Sequence, residues 1–195
     1  MLNLRVSSII VACLAAASLA GCDTQEPPDA QGAPAADSAL AGTQDVTFVG
    51  EEIPEVTLID PSGTELKLAE TGGMPVLLNL WATWCAPCVV EMPLLDELAG
   101  ELEGKVRVIT VSEDLQGAEV VVPFFAERKF EHLPQWMDTK NDLALAFGGG
   151  AVLPLTILYD AEGREVWRVI GGFDWSTAEA REKVLEAVPA GAVAG

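Results

Sequence analysis

Two cysteines separated by two residues, Cys85 and Cys88, are the side chains of this sequence best suited to chemistry. A pair with this spacing is either half of a metal site or a dithiol that exchanges with disulfides. A structural zinc site needs further ligands, but the chain holds a single histidine, His132, and its other cysteines lie within residues 1–22. The pair therefore favours thiol–disulfide exchange, with no metal and no cofactor other than a redox-active Cys85–Cys88 disulfide.

The position of this pair predicts which cysteine reacts first. An almost continuous apolar run at residues 74–80 predicts a buried central strand, and apolar residues with helical spacing follow at residues 85–102. Cys85 then lies at a helix N-terminus, where free backbone N–H groups and the helix dipole favour a thiolate. Cys88 lies about one turn further in. We therefore expect Cys85 to attack a disulfide and Cys88 to resolve the mixed disulfide.

The elements that must position this pair alternate between strands and helices. Further strands are predicted at residues 56–59, 66–68, 106–111, 155–159 and 165–170. Further helices are predicted at residues 117–129, after Asp138 as a cap, and after a capping box of Ser176 and Glu179. The sequence Asp-Ala-Glu-Gly at residues 160–163 predicts the turn of a hairpin. This order predicts an α/β fold of three layers, with helices on both faces of a central mixed sheet.

The N-terminal segment has the composition of an export signal followed by a tether. Arg5 precedes an apolar run at residues 9–20 that is too short to span a bilayer. The run ends in Leu-Ala-Gly-Cys and resembles the lipobox of bacterial lipoproteins, which implies cleavage before Cys22 and lipid on its side chain. An ordinary secretory signal is the alternative. The predicted division is a signal peptide at residues 1–21, a lipidated Cys22 with a disordered tether at residues 22–45, and a folded domain at residues 46–190.

This division implies a domain held at a membrane outside the cytoplasm, in the periplasm. Asp23, directly after Cys22, resembles the signal that retains some bacterial lipoproteins on the inner membrane. Thirty acidic residues against eleven basic ones give a net charge of −19, which argues against nucleic acid and anionic lipid surfaces as partners. A solvated acidic surface explains this charge, and attraction to basic protein partners is the other interpretation.

The sequence Trp-Ala-Thr-Trp-Cys-Ala-Pro-Cys at residues 81–88 resembles the active site of the TlpA/ResA branch of membrane-anchored thioredoxins. In that branch a glutamate lies three residues after the second cysteine and a proline lies five after it, as Glu91 and Pro93 do here. The resemblance covers residues 46–188 and implies a thioredoxin fold with a largely reductive role. It also implies that residues 113–147 form the insertion typical of this branch, which in relatives helps to recognise partners.

The same resemblance implies further site residues. Glu91 would be a buried carboxylate that accepts a proton from Cys88, because Asn79 stands where cytosolic thioredoxins carry an aspartate and cannot titrate. An exposed helical glutamate is the alternative. Pro154 matches the family's cis-proline that faces the cysteines, although Leu155 stands where the family often has threonine. The residues expected to face the substrate are Trp84, Ala86, Pro87 and Leu153.

The leading hypothesis is an enzyme that reduces protein disulfides. The resemblance implies apocytochrome c or copper proteins that assemble cytochrome oxidase as clients, and a membrane thiol transporter of the DsbD/CcdA kind as electron donor. Three alternatives stay open. A disulfide-forming oxidase of the DsbA type would carry a histidine between the cysteines. A copper-binding module of the Sco type would have three residues between them and a distant histidine, and a peroxidase of the same fold would lack the two-residue spacing.

Overall fold

A central sheet of mixed strands organises the fold. The structure is a computed structural model that describes residues 39–150 and 152–189. The predicted signal peptide at residues 1–21, Cys22 and the predicted tether as far as residue 38 lie outside the described residues. Within the part of the chain that is described, no helix is long and apolar enough to cross a membrane.

The described residues contain eight strands that form one sheet. Strand β1 spans Ala41–Asp45, β2 Thr57–Ile59, β3 Glu65–Lys67, β4 Val76–Trp81, β5 Arg107–Ser112, β6 Trp136–Met137, β7 Leu155–Tyr159 and β8 Glu165–Phe173. Their order across the sheet is β1-β8-β7-β4-β5-β6-β2-β3. Strand β4 lies inside the sheet, parallel to β5 and antiparallel to β7, so the sheet is mixed as predicted.

Helices cover both faces of this sheet. The described α-helices are α1 at Ala86–Glu101, α2 at Ala118–Arg128, α3 at Asp142–Ala146 and α4 at Ala178–Leu185, and a 3-10 helix spans Leu68–Glu70. Helices α1, α2 and α4 pack into the core on one face, whereas α3 and the 3-10 helix pack into the core on the other. The predicted three-layer α/β fold is confirmed.

Strand β4 runs between the two hydrophobic cores, and its side chains point alternately into one core and the other. This alternation decides which of them face the helix that carries the cysteines. Every residue of β4 is buried. Leu77 and Trp81 belong to the core that α1 shares, while Leu78 and Leu80 belong to the opposite core. Asn79 is two residues from both Leu77 and Trp81, so its side chain faces α1.

The predicted turn between β7 and β8 is held by one aspartate. Asp160 Oδ1 accepts hydrogen bonds from the backbone N–H groups of Glu162 and Arg164, at 3.0 and 2.8 Å. Gly163 closes this turn with a φ of 77°, in the region that favours glycine. Asp60 accepts the corresponding backbone N–H groups between β2 and β3, so the same local chemistry forms both hairpins.

The folded domain begins before the predicted boundary at residue 46. Strand β1, which lies within the predicted tether, pairs antiparallel with β8, and Ala39 in front of it is buried. Gly42 allows this pairing, since a Cβ atom there would lie 2.6 Å from the carbonyl oxygen of Gly171 and 2.7 Å from that of Gly172. The predicted tether is therefore wrong for residues 39–45. An edge strand made by backbone pairing needs no apolar alternation, and the sequence showed none there.

The predicted cap of the last helix is displaced by one residue. The N-cap of α4 is Thr177, whose hydroxyl accepts the backbone N–H three residues further on at 3.1 Å. Ser176, which was predicted to cap with Glu179, instead donates to Asp174 Oδ1 at 2.6 Å. The other predicted cap is also displaced, since the N-cap of α3 is Asn141, but the carboxylate of Asp138 still accepts the backbone N–H of Leu143 in α3 at 2.6 Å.

Candidate active site

Cys85 and Cys88 form a disulfide at the N-terminus of α1, directly after β4. Cys85 is the N-cap residue of that helix, and its sulfur accepts a hydrogen bond from the backbone N–H of Cys88 at 3.4 Å. The two Cα atoms lie 5.3 Å apart. A free N–H group at the helix N-terminus thus points at the sulfur of Cys85, as the sequence predicted.

The surroundings of the pair leave one cysteine more accessible than the other. Cys85 is 6% exposed, whereas Cys88 is 0% exposed. Trp84, directly before the pair, is 69% exposed, Ala86 is exposed and Pro87 is half-buried. An incoming disulfide can therefore reach Cys85 before Cys88, which is the predicted order of attack.

Glu91 lies one turn after Cys88 on α1 and is 0% exposed. Its Oε1 accepts a hydrogen bond from the side-chain amide of Asn79 at 2.8 Å. Its Oε2 accepts the backbone N–H of Phe173 at 2.9 Å and the indole N–H of Trp175 at 3.4 Å. Burial raises the pKa of Glu91 to about 7, against the opposite effect of these three donors. The predicted burial is confirmed, and a carboxyl with this pKa can exchange a proton near neutral pH.

Asn79 connects Glu91 to strand β7. Its side-chain amide donates to Glu91 and also to Thr156 Oγ1, at 2.9 Å. From the sequence, Asn79 is only a residue that cannot titrate. The structure shows that its amide donates to a carboxylate without competing for the proton. A polar residue in the middle of a buried apolar strand was the signal for this role, because buried polar groups need partners.

The peptide bond between Leu153 and Pro154 is cis, as the resemblance implied. Pro154 is buried directly before β7, which pairs with β4. Leu153 is half-buried and lines the same cleft as Cys85. The fold therefore brings Leu153, a predicted substrate-facing residue, to the side of the cysteine pair.

A cleft of about 450 Å³ opens beside Cys85. It is lined by Trp84, Cys85, Pro87, Glu113, Asn141, Ala144 and Leu153. Three of the four residues predicted to face the substrate are in this lining, and Ala86 is not among them. None of the described lining residues is basic, so the cleft presents carboxyl, amide and apolar groups next to the sulfur.

Glu113 is the titratable residue of this cleft that the sequence did not predict. It is 6% exposed, and neither carboxylate oxygen has a hydrogen-bond partner among the described residues. Burial, helped by the negative charge of Asp138, raises the pKa of Glu113 to about 8. A signal was available in the sequence, since Glu113 directly follows β5, the parallel neighbour of β4. The carboxyl ends of parallel strands meet at one edge of a sheet, where ligands bind.

Asp114, also not predicted, fixes the segment that leads into Cys85. Its carboxylate accepts the backbone N–H and the hydroxyl group of Thr83, both at 2.8 Å. It also accepts the hydroxyl group of Ser112 at 2.8 Å. The end of β5 therefore holds the loop between β4 and α1 in place.

Comparison with known proteins identifies the family. Residues 49–167, which are more than half of the chain, match the AhpC/TSA family. The chain belongs to the AhpC/TSA family. Among known proteins, the thiol-disulfide oxidoreductase ResA of Geobacillus kaustophilus is 35% identical over 140 residues, which cover 72% of this chain and 78% of that relative.

Solved structures share the fold of this chain. A Chlorobium tepidum protein described as a thiol:disulfide interchange protein DsbE superposes with a TM-score of 0.63 at 22% identity, over 72% of this chain and 98% of that one. The exposed lipoprotein thioredoxin Etrx1 of Streptococcus pneumoniae gives a TM-score of 0.55 at 26% identity, over 69% of this chain and 100% of that one. The thioredoxin fold and the TlpA/ResA-like relationship predicted from the sequence are confirmed.

This member of the AhpC/TSA family is a thiol–disulfide oxidoreductase. Its ResA relatives match over more than two thirds of their length, and Cys85 of the Cys85–Cys88 disulfide lines a surface cleft. Among residues 39–150 and 152–189, no group of three or more histidine, cysteine, aspartate or glutamate side chains is arranged to hold a metal ion.

Proposed function

We propose that this protein is a protein-disulfide reductase that keeps the cysteines of exported client proteins reduced. The observation that supports the direction of electron flow is the lack of a basic side chain beside Cys85 among the described residues. The cleft beside it contains Glu113 and no basic side chain among its described lining residues, and Glu91 is buried one turn after Cys88. Positive charge near an active-site thiolate stabilises the reduced form and makes a strong oxidant. The described lining of this cleft supplies no such positive charge, and its carboxyl group can add only negative charge when it ionises, so the dithiol of this protein gives up its electrons readily.

The reaction begins with the reduced pair. The thiolate of Cys85 attacks one sulfur of the client's disulfide, forming a mixed disulfide and releasing the other client sulfur as a thiolate. The thiolate of Cys88 then attacks the sulfur of Cys85 and releases the second client sulfur. Two electrons pass to the client, and the Cys85–Cys88 disulfide is the oxidised product. An external dithiol must reduce this disulfide before the next cycle.

Glu91 handles the proton of the resolving cysteine in this scheme. Cys88 is fully buried, so its thiol has no direct contact with water to take its proton. Glu91 shares the same face of α1 and has a pKa of about 7, which suits a general base at neutral pH. Glu91 accepts the proton as Cys88 attacks and returns it when the pair is reduced again.

The client lies across the exposed side of the pair. Trp84 and Ala86 are exposed beside Cys85, Pro87 and Leu153 line the cleft, and the backbone of Leu153 and Pro154 leads from there into β7. An extended client segment can pair with that backbone while its cysteine meets Cys85.

The setting of this reaction is a membrane surface outside the cytoplasm. The lipobox-like residues before Cys22 support a lipid anchor at that cysteine, and Asp23 supports retention on the inner membrane. One structural neighbour is itself an exposed lipoprotein thioredoxin. In this setting the clients are apocytochrome c or copper-site assembly proteins, the electrons come from a membrane thiol transporter of the DsbD/CcdA kind, and nucleic acid is not a partner.

The test is the reduction potential of the Cys85–Cys88 pair. The chain from residue 39 onward, which keeps β1, is equilibrated in glutathione or dithiothreitol buffers and its tryptophan fluorescence is recorded. A value well below about −200 mV, toward that of thioredoxin, supports a reductant. A value near about −120 mV, as for DsbA, would make the protein an oxidase and reverse the assigned electron flow.

A further inference from the structure

We propose that the cleft beside Cys85 is a subsite for a lysine or arginine side chain of the client, and that Glu113 is the residue that selects it. This inference rests on the proposed function and names the class of substrate: disulfides flanked by a basic residue. The subsite is built from Glu113 after the end of β5 and Asn141 before α3, which form one wall of the cleft that Cys85 also lines.

Three buried acceptor atoms of this wall lack partners. Neither carboxylate oxygen of Glu113 nor Oδ1 of Asn141 accepts a hydrogen bond from the described residues. Both residues line the cleft. A buried polar atom without a partner keeps an uncompensated desolvation penalty, so such atoms are rare unless a ligand or water meets them. Several acceptors together define a site for a group that donates several hydrogen bonds.

Backbone contacts fix this wall relative to the reacting sulfur. The backbone N–H of Glu113 donates to the carbonyl oxygen of Trp81 at 2.9 Å, and the next residue, Asp114, accepts the backbone N–H of Thr83 at 2.8 Å. The segment that carries Glu113 is thus tied to the segment that leads into Cys85. A side chain bound at Glu113 must belong to a client residue close in sequence or space to the cysteine under attack.

The charges around Glu113 favour a cation over a neutral donor. Asp138, at the end of β6, adds negative potential at Glu113, while its own carboxylate accepts the backbone N–H groups of Lys140 and Leu143. No described lining residue is basic. A lysine ammonium or an arginine guanidinium supplies both the missing positive charge and several N–H donors.

Binding of the client's cationic side chain ionises the carboxyl group of Glu113. Because its pKa is about 8, Glu113 of the free protein holds a neutral carboxyl group at pH 7. A positive charge within hydrogen-bonding distance lowers that pKa, so the carboxyl releases its proton to solvent as the client's side chain binds. The exposed indole of Trp84 at the rim of the cleft covers the aliphatic part of the bound side chain.

The experiment compares two disulfide peptides that differ only in arginine or citrulline beside one cysteine. Citrulline keeps the shape of arginine and removes its charge. For the reduced mature protein, kcat/KM is expected to be about tenfold or more higher for the arginine peptide, as for hydrogen bonds to charged groups. Glu113→Gln is expected to bring this ratio close to one. Glu127→Gln, which removes an exposed carboxylate from α2, is the matched control and keeps the wild-type ratio.

A ratio near one in the wild-type protein, or an unchanged ratio in Glu113→Gln, overturns the subsite. A second measurement does not need turnover or the Glu113 variant: in Cys88→Ser, the equilibrium amount of mixed disulfide at Cys85 is compared for the two peptides. Excess mixed disulfide with the arginine peptide supports the subsite and equal amounts overturn it. Failure of the proposed function is separate, because it is read from the reduction potential of the pair, while this equilibrium still reports the preference between the two peptides.

Discussion

Two buried glutamates lie near the cysteine pair, and their hydrogen bonds give them different tasks. Glu91 accepts three hydrogen bonds, from Asn79, Phe173 and Trp175, so its carboxylate is held in one place. Glu113 accepts none from the described residues and faces a cleft. A carboxylate held by protein donors can take and return a proton without moving. A carboxyl without donors instead leaves its acceptor atoms open to a ligand.

At the scale of residues, the first prediction concerns Glu91→Gln. The wild-type rate of client reduction is expected to rise with pH through about 7, because Glu91 accepts a proton only as a carboxylate. The variant is expected to lose this inflection and to react roughly ten- to a hundredfold more slowly at pH 7. Single-turnover stopped-flow fluorescence with a disulfide peptide, from pH 5 to pH 9, measures both effects.

Two controls accompany the Glu91→Gln measurement. Glu97→Gln removes an exposed carboxylate from the same helix and should keep the wild-type profile. Thermal unfolding of Glu91→Gln checks that the variant is folded, because a glutamine offers one acceptor oxygen where three donors converge. A folded variant with an unchanged pH profile would show that another group takes the proton.

The second prediction at this scale concerns the stability of Glu113→Gln. The pKa of Glu113 is about 8 in the folded protein and its ordinary value is 4.5, so between these values the folded state holds a proton that the unfolded state has lost. This stabilisation is complete below about pH 4.5 and is lost as the pH rises to 8. Glutamine has no such loss. The oxidised variant is therefore expected to become more stable than the wild type by roughly 2–4 kcal/mol at pH 9.

Urea unfolding of both oxidised proteins at pH 5 and pH 9 checks this prediction. Glu91 also has a raised pKa and loses stability in the same direction, but it is present in both proteins and cancels in the difference. A difference that stays constant between the two pH values would mean that Glu113 titrates normally in the folded protein.

At the scale of elements, a prediction concerns how much the pairing of β1 at the edge of the sheet stabilises the protein. In Gly42→Ala the added methyl group would meet the carbonyl oxygens of Gly171 and Gly172 in β8 at 2.6 and 2.7 Å. We expect β1 to shift or detach and the free energy of unfolding to fall by about 1–3 kcal/mol. Gly72→Ala is the control, since its nearest non-neighbouring atom is an ordinary 3.5 Å away. Equal melting temperatures for the two variants would argue against a structural role for β1.

The strands and helices also differ in how well the sequence predicts them. Strand β4 and helix α1 were predictable because an apolar run and a helical pattern each have one interpretation, and both core faces of β4 are indeed buried. Strand β1 was not, because its residues pair through the backbone at an edge. The cap of α4 was misplaced because Ser176 and Thr177 are both good N-cap residues, and the choice depends on the chain's path after Asp174.

In the candidate site, too, some residues could be predicted from the local sequence, whereas others depend on contacts between distant parts of the chain. Cys85 and Cys88 were predictable from spacing alone, and Pro154 and the burial of Glu91 from resemblance. Glu113 required knowing that β5 lies beside β4, which is a property of the sheet and not of any local pattern. Side chains brought together only by topology are therefore the part of a cleft that a single sequence describes least well.

At the scale of the whole molecule, the net charge of −19 predicts how clients approach. Long-range attraction between an acidic protein and a basic client raises the association rate and is screened by salt. The second-order rate of reduction of a basic disulfide protein is therefore expected to fall about tenfold or more between low salt and about 0.5 M salt, whereas that of an acidic one rises. Stopped-flow measurements across this range provide the check. Glu113→Gln should keep this salt dependence, because one buried group contributes little to the electrostatic field that thirty acidic residues produce together. Loss of both the salt dependence and the arginine preference in that one variant would mean that the cleft, and not the whole surface, attracts the client.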